Sequence, residues 1–167
     1  VAPSLLGGLI HCPQILLPEV VHLPVPNDVS AVLVHPDLQV NTAESRRGLQ
    51  KSIPVKTWVD QQGLLGGFIA ACAADNLELI AKTLRDVVIE PQRSGHVVCF
   101  NQVVAAAIKA GALGCSLSGS GPSMFALCRN TDAVNVASVM DQACRAEGID
   151  CQAWISPMSA PGAYIEG

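Results

Sequence analysis

The hydrophobic and polar positions of this chain predict strands near both ends and helices between them. Short apolar runs bounded by turn residues predict strands, and apolar residues spaced three and four apart predict helices. The predicted strands are residues 4–12, 15–24, 29–34, 112–117, 124–128 and 149–155. The predicted helices are a short one beginning at Asn41 or Thr42, then residues 58–74, 77–87, 96–110 and 133–147.

From Val29 onward these elements follow a β-α-β-β-α-β order, with extra helices in the first crossover. This order predicts an α+β two-layer sandwich, a mostly antiparallel sheet with helices on one face. The apolar run 29–34 favours a strand buried on both faces. In the helix 58–74, Trp58, Leu65, Ile69 and Cys72 share one side, and its three glycines indicate close packing.

Composition and charge narrow the classes of partner. Of 167 residues, 50% are hydrophobic and 14% charged, and the net charge is -4. The basic residues form no stripe, so we expect no nucleic-acid partner. No apolar stretch reaches the roughly 18 residues of a membrane span. The start lacks a basic leader, so it predicts no signal peptide but a chain cut within a domain.

The spacing of the cysteines and histidines does not indicate a catalytic or a metal site. The cysteine count is seven, and no Cys-x-x-Cys pair occurs. Free cysteines in apolar surroundings pack as small hydrophobes, which favours a reducing, cytoplasmic setting. The four histidines have no spacing typical of a metal pair or a general base. We therefore predict no catalytic and no metal-ligating residue.

A Gly- and Ser-rich stretch between two predicted strands is the first candidate site. It contains Ser118, Gly119, Ser120 and Gly121. The spacing alone favours a plain hairpin turn, and the alternative is a concave nest of backbone N–H groups that binds an anion.

Two arginine-bearing segments supply further candidates. Arg46 and Arg47 follow the short helix start, and because they are adjacent they point to different faces. Pro91 predicts that Glu90 and Arg93 lie on a loop between two helices. That loop is either a solvated connector with an exposed ion pair or an arginine fork for a carboxylate or phosphate.

These segments together resemble the GHMP kinases. Residues 117–127, Leu-Ser-Gly-Ser-Gly-Pro-Ser-Met-Phe-Ala-Leu, resemble the third signature of that superfamily. Residues 1–8, 41–46 and 86–93 resemble the corresponding segments of its homoserine kinase family. The resemblance covers nearly the whole chain in the same order, but it lacks the family's N-terminal ATP-cradling loop and its magnesium-holding carboxylate.

The resemblance implies a ferredoxin-like C-terminal domain of a GHMP kinase over residues 29–167, preceded by remnant strands of the N-terminal domain over residues 1–28. It implies transfer of the γ-phosphate of ATP to the hydroxyl of L-homoserine, on the route to threonine. Thr42, Arg46 and Arg93 would bind the substrate, and Ser118, Gly119, Ser120 and Gly121 would support the phosphate loop.

ATP and Mg²⁺ would be bound mainly by the missing N-terminal half, so we expect the fragment alone to be inactive. The resemblance leaves both a monomer and a homodimer as candidate assemblies of the full-length protein. The alternatives are another GHMP small-molecule kinase, or a non-enzymatic ferredoxin-like domain that binds a small molecule.

Overall fold

The elements of the chain are short near the amino terminus and longer after Val29. The structure, a computed structural model, describes residues 2–165, with the backbone alone for Leu16 and residues 42–44. The described strands are β1 (Leu9–His11), β2 (Val21–Leu23), β3 (Val29–Pro36), β4 (Gly114–Leu117), β5 (Met124–Arg129) and β6 (Cys151–Pro157). The described helices are α1 (Ala2–Leu6), α2 (Thr42–Arg47), α3 (Val55–Ala73), α4 (Leu77–Thr83), α5 (Glu90–Arg93), α6 (Phe100–Lys109) and α7 (Ala133–Ala146).

The main sheet has the strand order β4-β5-β3-β6, with every neighbouring pair antiparallel. This is the ferredoxin-like arrangement of a β-α-β-β-α-β chain, so the predicted fold class is confirmed. Helices α6 and α7 pack together on one face of the sheet. Their apolar sides meet β3 and β5 in a core that includes the buried Val32, Val103, Met124, Val136 and Met140.

Strand β3 corrects the expectation of burial on both faces. Val32 and Val34 face the helices and are fully buried, whereas Ala31 and Leu33 are only partly covered. The sheet therefore carries its main helical layer on one side, which is the two-layer pattern of an α+β sandwich.

The amino-terminal strand prediction was wrong in part. The run 4–12 divides into α1 and β1, with Gly7 and Gly8 at positive φ between them. Short apolar runs do not distinguish a helix from a strand by periodicity alone. Within 15–24, only β2 is a strand, and it pairs with β1 in a separate two-stranded sheet.

Two predicted helices are shorter than their apolar patterns suggested. α4 ends at Thr83, and after it Asp86 Oδ1 accepts hydrogen bonds from the backbone N–H groups of Val88 and Ile89. Such side-chain bonds offer the backbone an alternative to the helix. α6 begins only at Phe100, after a single 3-10 turn at Ser94–His96.

The structure corrects the prediction that Pro91 lies in a loop. It lies in the first turn of α5, where proline is tolerated because that N–H has no partner inside the helix. Glu90 and Arg93 therefore occupy the two ends of one helical turn.

The apolar side predicted for helix α3 is confirmed only in part. Cys72 is buried, but Trp58 remains 53% exposed and Leu65 44% exposed. Of its glycines, Gly67 packs closely against Thr83, while Gly63 and Gly66 face open space. Among the helices of residues 2–165, none combines the length and apolar character needed to cross a bilayer.

Candidate functional site

The Gly-rich stretch forms the connection between the antiparallel strands β4 and β5, as the hairpin interpretation predicts. The loop closes through the N–H of Ser118, which donates to the carbonyl of Ser123 at 2.8 Å. Gly119 and Gly121 have φ values of +69° and +79°, a region that favours glycine. A Cβ on Gly121 would lie 3.3 Å from Val97, whereas one on Gly119 would meet nothing within 4 Å. The apex of the loop is thus open to an approaching group.

Arg93 lies beside this loop. Its Nη1 donates to the carbonyl oxygen of Gly119 at 3.3 Å. Its Nε is buried and has no hydrogen-bond partner among the described atoms. A buried donor without a partner is costly, and a guanidinium with a donor to spare is well suited to a planar carboxylate or a phosphate. The structure therefore unites two of the predicted candidates, Arg93 and Gly119.

Glu90, at the other end of α5, contacts the sheet rather than Arg93. Its carboxyl accepts a hydrogen bond from the Ser116 hydroxyl of β4. Burial raises the pKa of the Glu90 carboxyl above its ordinary value, while the Ser116 hydrogen bond acts in the opposite direction. The exposed Glu90–Arg93 ion pair of the solvated-connector alternative is not the arrangement found. Both charged residues of α5 instead attach it to the β4–β5 hairpin.

Gln92 joins α5 to the segment that follows α2. Its Oε1 accepts from the backbone N–H of Gln50 at 2.8 Å. Arg46 lies in the last turn of α2 and is exposed. Thr42 begins α2, but its side chain lies outside the described part of the chain. The structure thus connects the segments of Arg46 and Arg93 through Gln92, and it gives no side-chain contact for Thr42.

The sequence interpretation missed three polar contacts around the loop. Besides Glu90–Ser116 and Gln92–Gln50, His35 Nδ1 lies 2.8 Å from Ser123 Oγ. Each contact joins residues far apart in the chain, so no local spacing indicates it. The only available signal was proximity in sequence, because Glu90 and Gln92 stand within three residues of Arg93.

A cavity of about 230 Å³ opens beside Ser116, and Gln61, Arg85 and Phe125 are among its lining residues. Gln61 belongs to α3, and its Oε1 accepts from the N–H of Val87 at 2.9 Å. This bond holds the segment between α4 and α5 against α3. Ser116, which lines this cavity, also donates to Glu90 of α5.

The described thiols and acidic side chains form no arrangement that would hold a metal ion. Burial raises the pKa of the Cys115 thiol to about 12 and that of Cys128 to about 11. These thiols stay protonated near neutral pH and pack as apolar groups. Among the described side chains, no group of three or more His, Cys, Asp or Glu residues is arranged to hold a metal ion.

The chain is similar to known kinases in sequence. Residues 68–146 match the family model for the GHMP kinases C terminal. The chain is 38% identical over 168 residues to a homoserine kinase of Chlorobaculum tepidum, covering 98% of this chain and 52% of the relative. A homoserine kinase of Xylella fastidiosa strain M12 is 37% identical, with 98% and 50% covered. The chain thus spans about half the length of the curated relatives it matches.

Solved structures give the same result for the fold. The crystal structure of homoserine kinase from Cytophaga hutchinsonii matches with a TM-score of 0.88 and 37% identity, over 93% of this chain and 50% of that one. A Streptococcus pneumoniae phosphomevalonate kinase matches with a TM-score of 0.60 at 10% identity, over 83% of this chain and 42% of that one. At that identity the second match concerns the fold alone.

Proposed function

We propose that this chain forms the substrate-side part of a homoserine kinase, because residues 68–146 match the family model for the GHMP kinases C terminal. The reaction is transfer of the γ-phosphate of ATP to the side-chain hydroxyl of L-homoserine. The observation that carries this proposal is the Arg93 guanidinium beside Gly119, with a buried Nε that has no hydrogen-bond partner among the residues that the structure describes. The similarity to homoserine kinases along 98% of the chain supports the choice of substrate.

In this proposal the chain binds and orients the amino acid. Arg93 and Arg46 hold the substrate carboxylate, because a planar guanidinium donates two parallel hydrogen bonds to it. Thr42 lies beside that carboxylate site. Catalysis of phosphoryl transfer consists mainly of positioning and charge stabilisation, so a fixed carboxylate is the contribution expected from this half.

The loop of Ser118, Gly119, Ser120 and Gly121 supports the phosphate-binding part of the site. The open space at Gly119 is consistent with the close approach of another backbone or of a phosphate. ATP and Mg²⁺ would bind mainly to an N-terminal half like that of the relatives. We also propose a boundary between two domains, residues 1–28 and residues 29–167. We propose a cytoplasmic location and expect no activity from residues 1–167 alone. A homodimer is the assembly that we propose to test.

The test measures homoserine phosphorylation by the full-length protein with Arg93→Ala and Arg93→Lys. A hydrogen bond to a charged group contributes about 1.5–3 kcal/mol, so Arg93→Ala should raise the KM for homoserine roughly 10- to 150-fold. Arg93→Lys keeps the charge but loses the bidentate geometry, so it should restore only part of the loss. The KM for ATP should stay unchanged.

Arg129→Ala is the matched control, because Arg129 lies at the far end of β5 from the loop and forms an ion pair with the exposed Asp28. Equal homoserine KM values for Arg93→Ala and Arg129→Ala would contradict the role of Arg93. Phosphorylation of mevalonate or galactose but not homoserine would favour another GHMP small-molecule kinase. Binding of a small molecule without any phosphorylation would favour the non-enzymatic domain.

A further inference from the structure

The side chain of Gln92 is held at both of its polar ends. Its Oε1 accepts from the N–H of Gln50 at 2.8 Å, and its Nε2 donates to the carbonyl of Val88. Val88 lies one turn earlier, so this second bond fixes the rotamer of Gln92 against its own segment. The amide therefore presents its oxygen to Gln50 in one defined direction.

The partner of this oxygen belongs to the segment that carries Arg46. The N–H of Leu49 bonds the carbonyl of Arg46 at 3.4 Å, so a turn connects the end of α2 to Gln50. Ser45, the neighbour of Arg46, is buried, which fixes the inner side of α2. Gln92 thus attaches this turn to α5, directly beside Arg93.

We propose that Gln92 is a positioning residue, which sets the spacing between Arg46 and Arg93 so that both can bind one substrate carboxylate. The inference rests on the proposed function. Two guanidinium groups bind a single carboxylate only when their supports are fixed, because a displacement of about 1 Å can cost as much as 100-fold in rate. Gln92 itself makes no contact with the substrate in this arrangement.

The test uses the full-length protein with Gln92→Met, which keeps the length of the side chain but removes both hydrogen bonds. We expect the KM for L-homoserine to rise about 10-fold, with kcat changed less than about 2-fold. The KM for ATP should not change. Aminopropanol, which is homoserine without its carboxylate, should be phosphorylated with the same kcat/KM by Gln92→Met and by the unaltered protein.

Gln142→Met is the matched control, because Gln142 lies on the exposed side of α7 and donates to Ser138 on the same helix. It should leave all these constants unchanged. If Gln92→Met does not fold, as judged by thermal unfolding, Gln92→Glu replaces it, since a carboxylate still accepts from Gln50. That variant should raise the KM for homoserine by less than about 10-fold, because one of the two hydrogen bonds is kept.

A double variant separates this inference from the proposed function. If Gln92 acts through Arg46, Gln92→Met should add no further loss in an Arg46→Ala background. Additive losses, equal losses for homoserine and aminopropanol, or constants like those of Gln142→Met would overturn the inference alone. Unchanged homoserine KM values in both Arg46→Ala and Arg93→Ala would overturn the proposed carboxylate site, and with it this inference.

Discussion

The two faces of the main sheet differ in the contacts that they make. On one face, α6 and α7 bury a continuous apolar core in which Val32, Met124 and Met140 are fully buried. On the other, Ser116 and the β4–β5 loop are joined to α5 through Glu90 and Arg93. Apolar burial is tolerant of detail and stabilises the fold, whereas directional hydrogen bonds fix a few groups in place. The comparison indicates that stability lies mainly on the first face, and the second face carries the proposed ligand site.

The largest expected effect is on the helical face. Met140→Ala removes a fully buried side chain of α7 and should lower the free energy of unfolding by about 2–5 kcal/mol. Denaturant unfolding of the full-length protein measures this change. Val134→Ala on the same helix is the control, because Val134 is 73% exposed and should change stability by less than about 0.5 kcal/mol. Similar losses in both variants would contradict the assignment of the core to this face.

A smaller effect is expected where β4 meets Leu84 on the opposite face. An added Cβ at Gly114 would lie 2.6 Å from Leu84 Cδ2 and 3.0 Å from Leu84 Cβ. Gly114→Ala should therefore cost about 1–3 kcal/mol in the free energy of unfolding, because the closest atoms belong to a packed side chain.

The same substitution at Gly63 should have the opposite sign. Gly63 lies inside α3, and a Cβ there would meet nothing within 4 Å. Alanine favours the helix over glycine, so Gly63→Ala should stabilise the protein by about 0.5–1 kcal/mol. A stabilising Gly114→Ala would show that the contact with Leu84 is not tight.

The smallest expected effect is a pH dependence at Glu90. Burial raises the pKa of this carboxyl above its ordinary 4.5 in the folded state. As the pH rises above 4.5, the unfolded chain releases this proton first, so the Glu90 contribution to stability falls until the folded pKa is passed. Glu90→Gln cannot ionise. The free energy of unfolding of Glu90→Gln, measured from pH 4 to 7, should therefore increase relative to that of the unaltered protein as the pH rises.

Glu78→Gln is the control with the opposite sign. Lys82 lowers the pKa of the exposed Glu78, so its small contribution is present above 4.5 and is lost as the pH falls through the folded pKa. Parallel pH profiles for Glu90→Gln and the unaltered protein would show that burial of Glu90 does not hold its proton.

The long helices and the order of elements along the chain from Val29 onward were predictable from local pattern, whereas the short elements were not. α7 has apolar positions at helical spacing over more than three turns, so its pattern is specific. α1 and α5 contain only 5 and 4 residues, and in such short segments proline or a few apolar residues do not decide the structure. Just after the end of α4, Asp86 accepts bonds from the backbone N–H groups of Val88 and Ile89, a competition with the helix that periodicity does not register.

The candidate site was predictable as a set of residue types but not as an arrangement. The sequence placed Gly119 in a turn and identified Arg93 as a candidate for an anion. The contact between them joins positions 26 residues apart, and so does the contact of Glu90 with Ser116. No local sequence pattern indicated Gln92, because its proposed role depends on a hydrogen bond to Gln50, which lies 42 residues away.

By itself, the sequence determined the α+β order of elements from Val29 onward and the glycine turn between β4 and β5. These depend on side-chain periodicity and backbone freedom, which act within a few residues. Only the tertiary structure decided that Arg93 lies beside Gly119 with a buried Nε that lacks a partner within the described part of the chain, and that Gln92 attaches the segment of Arg46 to α5. Such contacts depend on how distant segments pack together, and that packing fixes where a directional hydrogen bond can form.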